Sequence, residues 1–448
     1  MKMMEGTAEP TAQAPAPLTG AYGGYAMTLL LLIYLVNFLD RQVVHILAEP
    51  IKRDLAIADW QIGLLSGLSF ALLYTILGLP IAWLAERKSR PAIIGTSAVV
   101  WSGFTLLCGV TQNFGQLVLA RVGVGIGEAG CTPAAQSLIM DYAKPEKRSS
   151  AFAFYGLGAP LGALAGMAFG GLVADAYGWR AAFLLAGVPG LMLGLLAAFT
   201  LREPRRRLAR QVAAQGQRGP SVPQIVRTLA ARRGFVLWLF ALAMIAIPIA
   251  AFPPFFGSFY LRNHADELAA MAAAASAAWG VRIESVGLLG LLLGGILGGS
   301  GSLGMWCGGK LSDRLGGANM RRNLQGAAIA TALGMPLLLG ALMVPGLETS
   351  LILLGVNGFV WALWYGGAYA AGFSFVPLDM RASASALSLF INNLIGTGLG
   401  ALAVGLLSDL IGRHMGSAQG VRWSLAAFSL CALASSFLFL RAARHAQA

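Results

Sequence analysis

The sequence predicts an all-α membrane protein with twelve transmembrane helices arranged as two six-helix halves of similar plan. Three observations lead to this prediction. The chain has 448 residues, of which 57% are apolar and only 11% are charged, whereas a soluble domain carries about 25% charged residues. Apolar stretches near or above the ~20 residues needed to cross a bilayer recur along the chain. Motifs at the ends of two such stretches appear again in the second half.

The composition excludes several classes of protein. A compact soluble fold cannot hide this much apolar surface, so a soluble enzyme is excluded, as are disordered and collagen-like chains. The 58 glycines fit closely packed transmembrane helices, because small residues let helix backbones approach each other. Four cysteines lack the spacing of disulfide frameworks and metal sites, and we interpret them as small core residues. They are Cys108, Cys131, Cys307 and Cys431.

Twelve apolar stretches are predicted to span the membrane, in two sets of six. The first set forms an N-terminal domain over residues 25–201, and the second forms a C-terminal domain over 234–441. Residues 1–24 are mostly Ala, Pro, Thr and Gly, and we expect a disordered tail there; 442–448 form a second tail. The predicted limits of spans 1 to 12 are 25–48, 60–84, 91–111, 114–141, 149–174, 179–201, 234–261, 284–308, 323–345, 349–376, 380–408 and 421–441.

The distribution of Lys and Arg predicts the orientation of the chain. Most of the 32 Lys and Arg residues lie in the tails and in the loops on the side of the termini, including the arginine-rich linker 202–233. The loops on the opposite side hold few. Because basic loops stay on the inner side of a membrane, we expect both termini in the cytoplasm. The net charge of +13 is explained in the same way, without a nucleic-acid partner.

The two halves of the chain repeat one plan. The segment 171–178 closes span 5 with the pattern Gly-x-x-x-Asp-x-x-Gly, and 405–412 closes span 11 with the same pattern. An acidic residue followed by Arg comes after span 2, at Glu86, and again after span 8, at Asp313. Paired six-span halves of this kind are typical of transporters built from parallel repeats.

These motifs resemble those of the major facilitator superfamily. The loop after span 2 carries an acidic residue, Arg and further basic residues at 86–90, with Glu where the family usually has Asp, and a second copy ends in Asp313 and Arg314. Span 4 carries the family's Arg followed by a glycine-rich helix at 121–129, and span 5 carries Gly-Ala-Pro-Leu-Gly at 158–162. The resemblance covers almost the whole chain and implies the major facilitator fold and transport by alternating access.

Within that superfamily, the N-terminal half resembles the Spinster-like branch. The resembling stretches are 37–44, 50–55, 61–65, 127–131 and 178–180. The resemblance implies export of lipids such as sphingosine phosphates or lysophospholipids, often linked to protons. Bacterial members resemble these transporters in sequence, but the resemblance does not determine their substrate. We expect a functional monomer in a bacterial inner membrane, in contact with membrane lipids and without a cofactor.

Four ionisable residues stand out inside predicted spans, where each costs at least ~2.5 kcal/mol at the membrane centre and is therefore a functional candidate. They are Asp40 and Arg41 in span 1 and Arg121 and Glu128 in span 4. At 1.5 Å per residue, Asp40 lies about 22 Å from the inner edge and Arg121 about 10 Å from the outer edge of a core about 30 Å thick. We therefore expect Asp40 and Arg121 to meet in the outer half of a cavity, with Glu128 two turns deeper on nearly the same helix face as Arg121.

These residues predict proton coupling and binding of a charged head group. Burial favours the protonated form of a carboxyl and a neighbouring Arg favours its charged form, so Glu128, together with Asp40, can take up and release a proton if its surroundings alternate. Arg41, Arg121 and Asn37 are the candidates for the head group. The alternatives are a fixed Arg–Glu pair that only holds span 4 in place, and a span 1 covering 20–39, which would leave Asp40 and Arg41 at the membrane surface.

His45 invites comparison with a metal site because it lies four residues before Glu49. A third ligand is missing from the sequence pattern, so we predict no metal site and interpret His45 as an interface or core histidine. Motifs for zinc proteases, serine hydrolases and P-loop nucleotide binding are also missing, and we predict neither an enzyme nor any catalytic residue. Uphill transport must then be driven by an ion gradient.

The C-terminal half offers an aromatic face rather than charges. Asn357, Trp361, Tyr365 and Tyr369 recur every four residues in span 10, and Trp364 lies on the same broad face. Such stripes are often helix core. Span 10 lines the cavity in the family that the chain resembles, and we therefore include these five residues as candidates for substrate binding.

Two glycine stripes predict close helix contacts. One runs through 158, 162, 166 and 170 in span 5, and the other through 290, 294 and 298 in span 8. Ordinary close packing is one interpretation. The family resemblance favours the other, in which both stripes form the sliding interface between the halves.

The sequence thus predicts a secondary transporter with a charged N-terminal wall and an apolar, aromatic C-terminal wall, which moves an amphipathic, lipid-like substrate together with protons. A proton-linked carrier of small organic anions or drugs is the alternative, for which Arg121 and Glu128 would also serve. On the cytoplasmic side we expect a gate that pairs only when that side is closed. Its candidate residues are Glu86, Arg87, Arg90, Asp313 and Arg314.

Overall fold

The computed structural model describes residues 20–144, 147–204, 227–316, 319–376 and 380–446. Within these ranges the side chains of 79, 82, 83, 85–87, 148, 149, 315, 316, 381–383 and 386 are not described. All regular secondary structure in the described ranges is helical. Eleven helical segments there are long and apolar enough to cross a membrane, and they correspond to every predicted span except span 4.

The N-terminal half contains six spans, several of which are divided into shorter helices. Span 2 runs through α3, a π-helical turn at Leu64–Leu68 and α4, and span 4 consists of α6 and α7. The bounds are α1 Ala21–Ile46, α2 Ala48–Leu55, α3 Asp59–Gly63, α4 Ser69–Arg87, α5 Arg90–Cys108, α6 Phe114–Glu128, α7 Cys131–Tyr142, α8 Arg148–Gly156, α9 Gly158–Tyr177 and α10 Trp179–Thr200.

The C-terminal half has the same plan, with π-helical turns at Ile247–Ala251 in span 7 and Asn392–Gly400 in span 11. The bounds are α11 Arg233–Ala246, α12 Pro253–Asn263, α13 Ala265–Trp279, α14 Ser285–Leu311, α15 Met320–Met343, α16 Leu347–Ala362, α17 Tyr365–Ser374, α18 Arg381–Ile391, α19 Ala401–Met415, α20 Ser417–Ser429 and α21 Cys431–Ala443.

Several boundaries differ from the sequence prediction. Span 4 is interrupted at Ala129 and Gly130, so that α6 has 15 residues and α7 has 12, although together they cover the predicted stretch. The first helix begins at Ala21, within the predicted tail 1–24. The rest of that tail, most of the linker 202–233 and the last residues of the chain lie outside the described residues. Two helices were not predicted: α2, after span 1, and α13, between spans 7 and 8.

We call the side on which α1 begins the terminal side and the opposite side the distal side. The hydrogen bonds and ion pairs that join described residues of the two halves lie on the distal side. The two halves are therefore closed against each other there. We call this set of contacts the distal seal.

Two aspartates at equivalent positions form the symmetric part of the distal seal. Asp175, at the end of span 5, accepts hydrogen bonds from the backbone N–H groups of Glu284 (2.9 Å) and Gly287 (2.7 Å) at the start of span 8. Asp409, at the end of span 11, accepts from the backbone N–H groups of Asp59 (3.0 Å) and Trp60 (2.8 Å) at the start of span 2. Each carboxylate thus satisfies N–H groups that a helix start leaves without partners.

The glycine of each repeated Gly-x-x-x-Asp pattern lets the helices approach closely enough for this contact. A Cβ on Gly171 would lie 2.5 Å from the carbonyl oxygen of Val286, and a Cβ on Gly405 would lie 2.3 Å from that of Asp59. Both distances are far shorter than van der Waals contact, so larger residues would force the halves apart. The sequence repeat is therefore a repeat of one inter-half contact.

A buried arginine completes the distal seal. Arg262 of span 7 donates to Glu49 (3.0 and 2.7 Å) and to Asp59 (2.9 and 2.8 Å), both in the other half. Ser408 also donates to Asp59, at 2.6 Å. Charge-assisted hydrogen bonds of this kind are about twice as strong as neutral ones.

The two glycine stripes lie at different interfaces, which corrects the prediction that both form the contact between the halves. Cβ atoms on the span 5 stripe would meet Leu35, Leu39 and other residues of α1, inside the N-terminal half. Those on Gly290 and Gly294 would meet Met167 and Leu164 of α9, across the halves. One face of α9 is therefore used for α1, and a different face is used for the C-terminal half.

We expect Asp409→Asn to weaken the distal seal more than Asp175→Asn does. Asp409 uses both carboxylate oxygens and Asp175 only one, so an amide oxygen replaces the acceptor fully only at Asp175. Loss of one charge-assisted bond, about 1.5 kcal/mol, raises the ratio of distally open to closed molecules about tenfold. Spin labels at the exposed positions Gln112 and Ala278 would report longer distances by pulsed electron paramagnetic resonance.

Asp54 provides a matched control on the same side. The Arg180 guanidinium donates to its carboxylate at 2.7 Å and lowers the pKa of Asp54, and Trp179 donates to the same oxygen at 3.2 Å. All three residues belong to the N-terminal half, so Asp54→Asn should leave the distances between the labels unchanged. Equal distance distributions for Asp409→Asn and the unmutated protein would refute the role of Asp409.

Candidate functional site

The four charged residues predicted from the sequence, with Asn37, form what we call the charged cluster. An ion pair between spans 1 and 4 lies at its centre. The Nε and Nη2 atoms of Arg41 both lie 2.7 Å from Oε2 of Glu128. The Glu128 side chain is fully buried, whereas that of Arg41 is 20% exposed. Access to the carboxylate is therefore controlled by the arginine, which is the more exposed partner.

The other polar residues of the charged cluster are buried around this pair. Asp40, Arg121 and Asn37 are each at most 2% exposed. Asp40 accepts a hydrogen bond from Thr105 of α5 at 3.1 Å, and its second oxygen has no partner among the described residues. Two guanidinium nitrogens of Arg121 and both amide atoms of Asn37 are also without such partners. The cluster can therefore donate and accept further hydrogen bonds, and its carboxylates can accept a proton.

Three glycines of α6 bring this helix close enough to its neighbours to enclose the charged cluster. A Cβ on Gly125 would lie 2.7 Å from the carbonyl oxygen of Phe70 in α4, and one on Gly127 would lie 2.5 Å from the backbone nitrogen of Trp101 in α5. A Cβ on Gly123 would collide with the ring of Phe104. The glycine-rich motif after Arg121 is thus required for helix packing around the charges.

The pairing within the charged cluster differs from the depth prediction. Among the described residues Asp40 and Arg121 form no ion pair, and Glu128 pairs with Arg41. Depth arithmetic counts Cα positions, whereas a long side chain on a helix extends towards the N-terminal end of its own helix. The guanidinium of Arg41 can therefore reach a carboxylate that lies nearer the terminal side than its own Cα.

A cavity of about 330 Å³ lies between the halves near the middle of the helices. This volume is within the ~300–1,000 Å³ range of small-molecule sites. Its walls are mostly apolar and come from spans 1, 5, 7, 8 and 10. The residues that define its two walls include Gln42, Met167, Phe256, Leu297, Leu354 and Trp361.

The predicted aromatic residues of span 10 are divided between the cavity and the helix core. Asn357, Trp361, Trp364 and Tyr365 line the cavity, and Tyr365 is 44% exposed. Tyr369 does not line it: its ring stacks on Trp364, and its hydroxyl accepts a hydrogen bond from Asn392 at 3.1 Å. The helix break between α16 and α17 lies within this aromatic set.

Asn357 supplies the polar contact on this wall. Its side-chain nitrogen donates to the carbonyl of Gly334 in α15 at 2.8 Å. A Cβ on Gly334 would overlap the ring of Trp361, so the glycine also fixes the position of that ring. The two residues are thus held by span 9 against the cavity.

The charged cluster and the cavity are neighbours on α1 but are not one pocket. Arg41 points to the cluster and Gln42 lines the cavity, as expected for successive residues about 100° apart around a helix. None of Asp40, Arg41, Arg121 and Glu128 lines the cavity. Arg41 is next to Gln42 in the chain and its side chain is partly exposed. It is therefore the member of the charged cluster best placed to reach a ligand in the cavity.

Of the predicted gate residues whose side chains are described, Arg90 has partners, and these do not include Asp313 or Arg314. Arg90 is buried and forms ion pairs with Asp141, at 2.7 Å, and with Glu203; it also donates to the carbonyl of Ser137. All of these partners belong to the N-terminal half. Asp313 and Arg314 are exposed. The side chains of Glu86 and Arg87 lie outside the described part of the structure.

His45 and three residues that the sequence analysis did not single out also lie at the site. His45 interacts with the side chain of Gln42 at 3.0 Å, and no group of three or more potential metal ligands occurs among the described residues. Thr105, Phe70 and Tyr74 contact the charged residues. Neutral polar and aromatic residues are common in transmembrane helices, so only their three-dimensional placement distinguishes these three.

Comparison with known proteins agrees with this architecture. The family model described as Major Facilitator Superfamily matches residues 30–401. An MFS-type efflux pump of Mycolicibacterium smegmatis is 29% identical over 399 residues, which are 88% of this chain and 86% of that protein. Protein spinster homolog 1 of Xenopus tropicalis is 26% identical over 411 residues, which are 88% and 75% of the two chains.

A solved structure has the same fold over almost the whole chain. It is that of a bacterial homologue of the human lysosomal transporter Spinster, in an inward-facing, unoccupied conformation. The identity is 27% and the TM-score 0.78, with 95% of this chain and 98% of that chain covered. The resemblance to the Spinster-like branch and the twelve-helix fold are thereby confirmed.

Removing either partner of the Arg41–Glu128 pair should have unequal effects on stability. Arg41→Met leaves a fully buried carboxylate without its partner, and breaking a buried pair in this way costs about 3–5 kcal/mol. Glu128→Gln leaves an arginine that is 20% exposed and can extend its charge towards water. We therefore expect the larger fall in thermal unfolding midpoint for Arg41→Met, measured on purified protein at neutral pH.

Acidification provides the control for this prediction. Protonation of Glu128 removes the uncompensated charge, so the destabilisation caused by Arg41→Met should shrink at low pH, whereas that caused by Glu128→Gln should not. Equal destabilisation by the two substitutions at every pH would show that the pair contributes packing rather than charge compensation.

Proposed function

The chain belongs to the major facilitator superfamily, so it is a multi-pass membrane transporter and not an enzyme, and we propose that it moves an amphipathic, lipid-like substrate. Transport would proceed by alternating access, coupled to protons through Glu128 with Asp40 and Arg121. The substrate class is a lysolipid or sphingoid-type molecule with a charged head and an apolar chain. This proposal concerns the finer function, beyond family membership.

The observation that carries the proposal is that the charged cluster and a mostly apolar cavity are neighbours on α1. Arg41 is a partly exposed cation next to the cavity, whereas the cavity is lined mainly by aliphatic and aromatic groups such as Phe256, Leu354 and Trp361. A small hydrated solute would lose water against these walls without gaining polar contacts. A head group near Arg41 and a chain in the cavity satisfy both regions.

The geometry of Glu128 supports proton coupling. A carboxylate that is fully buried and paired with a partly exposed arginine is stable as an anion only while the pair persists. An anionic head group that competes for Arg41 would favour proton uptake by Glu128, since the carboxylate would otherwise remain buried without its partner. Asp40 and Arg121, buried in the same cluster, would tune this exchange.

Alternating access requires the distal seal to open while the terminal side closes. We place the termini in the cytoplasm, in line with the distribution of basic residues, so the described conformation is closed towards the outside. Glu86, Arg87, Asp313 and Arg314 remain our candidates for a gate on the cytoplasmic side. Arg90, paired within its own half, would support that gate by holding the start of α5.

Export of small organic anions or drugs is the second candidate function. It is favoured by the similarity to an MFS-type efflux pump over 88% of this chain. Arg121 and Glu128 would serve such a substrate equally well, because a small anion needs the charged cluster and no long apolar cavity. Dependence on chain length separates the two candidates.

We expect affinity to rise with acyl chain length at constant head group. Each CH₂ buried in the cavity contributes about 0.8 kcal/mol, or about fourfold in affinity, until the cavity is filled. Trp361→Ala should flatten this rise because Trp361 lines the cavity, whereas Arg121→Ala should weaken all members alike. Binding of a lysophosphatidate series to the protein in lipid nanodiscs would measure the slope.

Tyr365→Ala and Tyr369→Ala provide a matched pair in that assay. Tyr365 lines the cavity and Tyr369 is packed behind Trp364, so only the first should reduce the dependence on chain length directly. Affinity that stays flat with chain length in the unmutated protein would reject the lipid substrate in favour of the small-anion carrier.

A further inference from the structure

Three aromatic rings lie close to the guanidinium of Arg41. The Arg41 Cζ atom lies 4.7 Å from the ring centre of Phe70, 4.8 Å from that of Tyr74 and 5.3 Å from that of Phe38. All three distances are within the ~6 Å at which a cation is attracted by an aromatic face. Arg41 is thus held by one carboxylate and by three rings together.

Span 2 supplies two of these rings as a preformed unit. Phe70 and Tyr74 are four residues apart on α4, and their rings stack with centres 5.2 Å apart. Phe70 is 3% exposed, and its backbone carbonyl contacts α6 at Gly125. The rings are therefore fixed by packing, independently of the charges that they face.

We propose that Phe70 and Tyr74 are positioning residues which keep the Arg41 guanidinium beside Glu128 and thereby set the pH at which Glu128 exchanges its proton. This proposal rests on the proposed proton coupling through Glu128. The side chain of Arg41 is 20% exposed, so its charged end can also extend towards the cavity between the halves, where water can solvate it. The aromatic faces oppose that departure, because a cation is attracted to the negative face of such rings.

One of these aromatic rings, that of Phe70, also lies close to a second arginine, Arg121. The Cζ atom of Arg121 lies 5.7 Å from the ring centre of Phe70, so one ring is close to two guanidinium groups. Other titratable and charged groups also lie around the pair and would act on Glu128 in every variant. They are Tyr34, Asp40 and His45 on α1, Tyr74 on α4, Arg121 on α6 and Cys131 on α7.

Infrared difference spectroscopy of the purified protein without substrate tests the proposal. The carboxyl band of Glu128 is the one lost in Glu128→Gln, and its intensity against pH gives the titration midpoint. In Tyr74→Leu and in Phe70→Leu, Arg41 leaves more often and the carboxylate loses its partner, so the midpoint should rise by about one pH unit. Tyr74→Phe keeps the aromatic face and loses only the contact of the hydroxyl with Arg41, so its midpoint should move less than that of Tyr74→Leu.

The controls separate positioning from folding and from transport. Leu72→Ala changes an exposed residue of the same helix and should not move the midpoint. If Phe70→Leu fails to fold, the more exposed Tyr74 still gives a complete comparison between Leu and Phe. An unchanged midpoint in Tyr74→Leu, an equal shift in Tyr74→Phe, or no titration of Glu128 while the protein stays folded would overturn the proposal. Uptake into proteoliposomes that is independent of pH would instead refute the proposed function, while the infrared result stands by itself.

Discussion

The structure depends most on how its two halves are joined. Inside a bilayer no hydrophobic gain drives helices together, so association must come from close packing and polar contacts. Asp175 and Asp409 supply these contacts through backbone N–H groups at the starts of spans 8 and 2. Their position at the distal ends of the helices leaves the middle of the interface free for a cavity. Such bonds can be exchanged for bonds to water, so the same contact that closes the distal side can also be released.

A second constraint acts inside the N-terminal half. Asp40, Arg121 and Glu128 are buried together, and Arg41 is the most exposed of the four charged side chains. The stability of that half is therefore tied to the charge state of Glu128 and the position of Arg41. We propose that binding of an anion at Arg41 and binding of a proton at Glu128 are linked through the Arg41 side chain. The C-terminal half carries no comparable cluster among its described residues and provides mainly apolar surface.

Much of this arrangement could be predicted from the sequence. Apolar length located all twelve spans, and the repeated Gly-x-x-x-Asp pattern pointed to equivalent positions in the two halves. The pattern did not reveal that each aspartate binds the start of a helix in the other half, because that contact is made between segments far apart in the chain. Gly162 and Gly290 belong to similar stripes yet pack against different partners, since spacing defines a helix face and leaves its neighbour undetermined.

The site was predictable in its residues more than in its contacts. Asp40, Arg41, Arg121 and Glu128 could be selected because charges are costly in a membrane. The pairing of these residues could not be predicted. Depth was counted from Cα positions, and the long side chain of Arg41 reaches a carboxylate at a different depth from its own Cα. The packing of α4, α5 and α6 determines the break after Glu128 and the placement of the Phe70 and Tyr74 rings. The periodicity of a single helix carries no information about such packing, so these features could not be predicted.

The central claim is that substrate and proton binding are coupled through Arg41 and Glu128. Proton uptake during ligand binding measures this directly, by isothermal titration calorimetry in buffers of different ionisation enthalpy. A medium-chain alkyl sulfonate is a suitable ligand because its head group keeps a fixed negative charge. The account predicts uptake of about one proton per ligand by the unmutated protein at neutral pH, and none by Glu128→Gln. Binding of the sulfonate by the unmutated protein without proton uptake would contradict it.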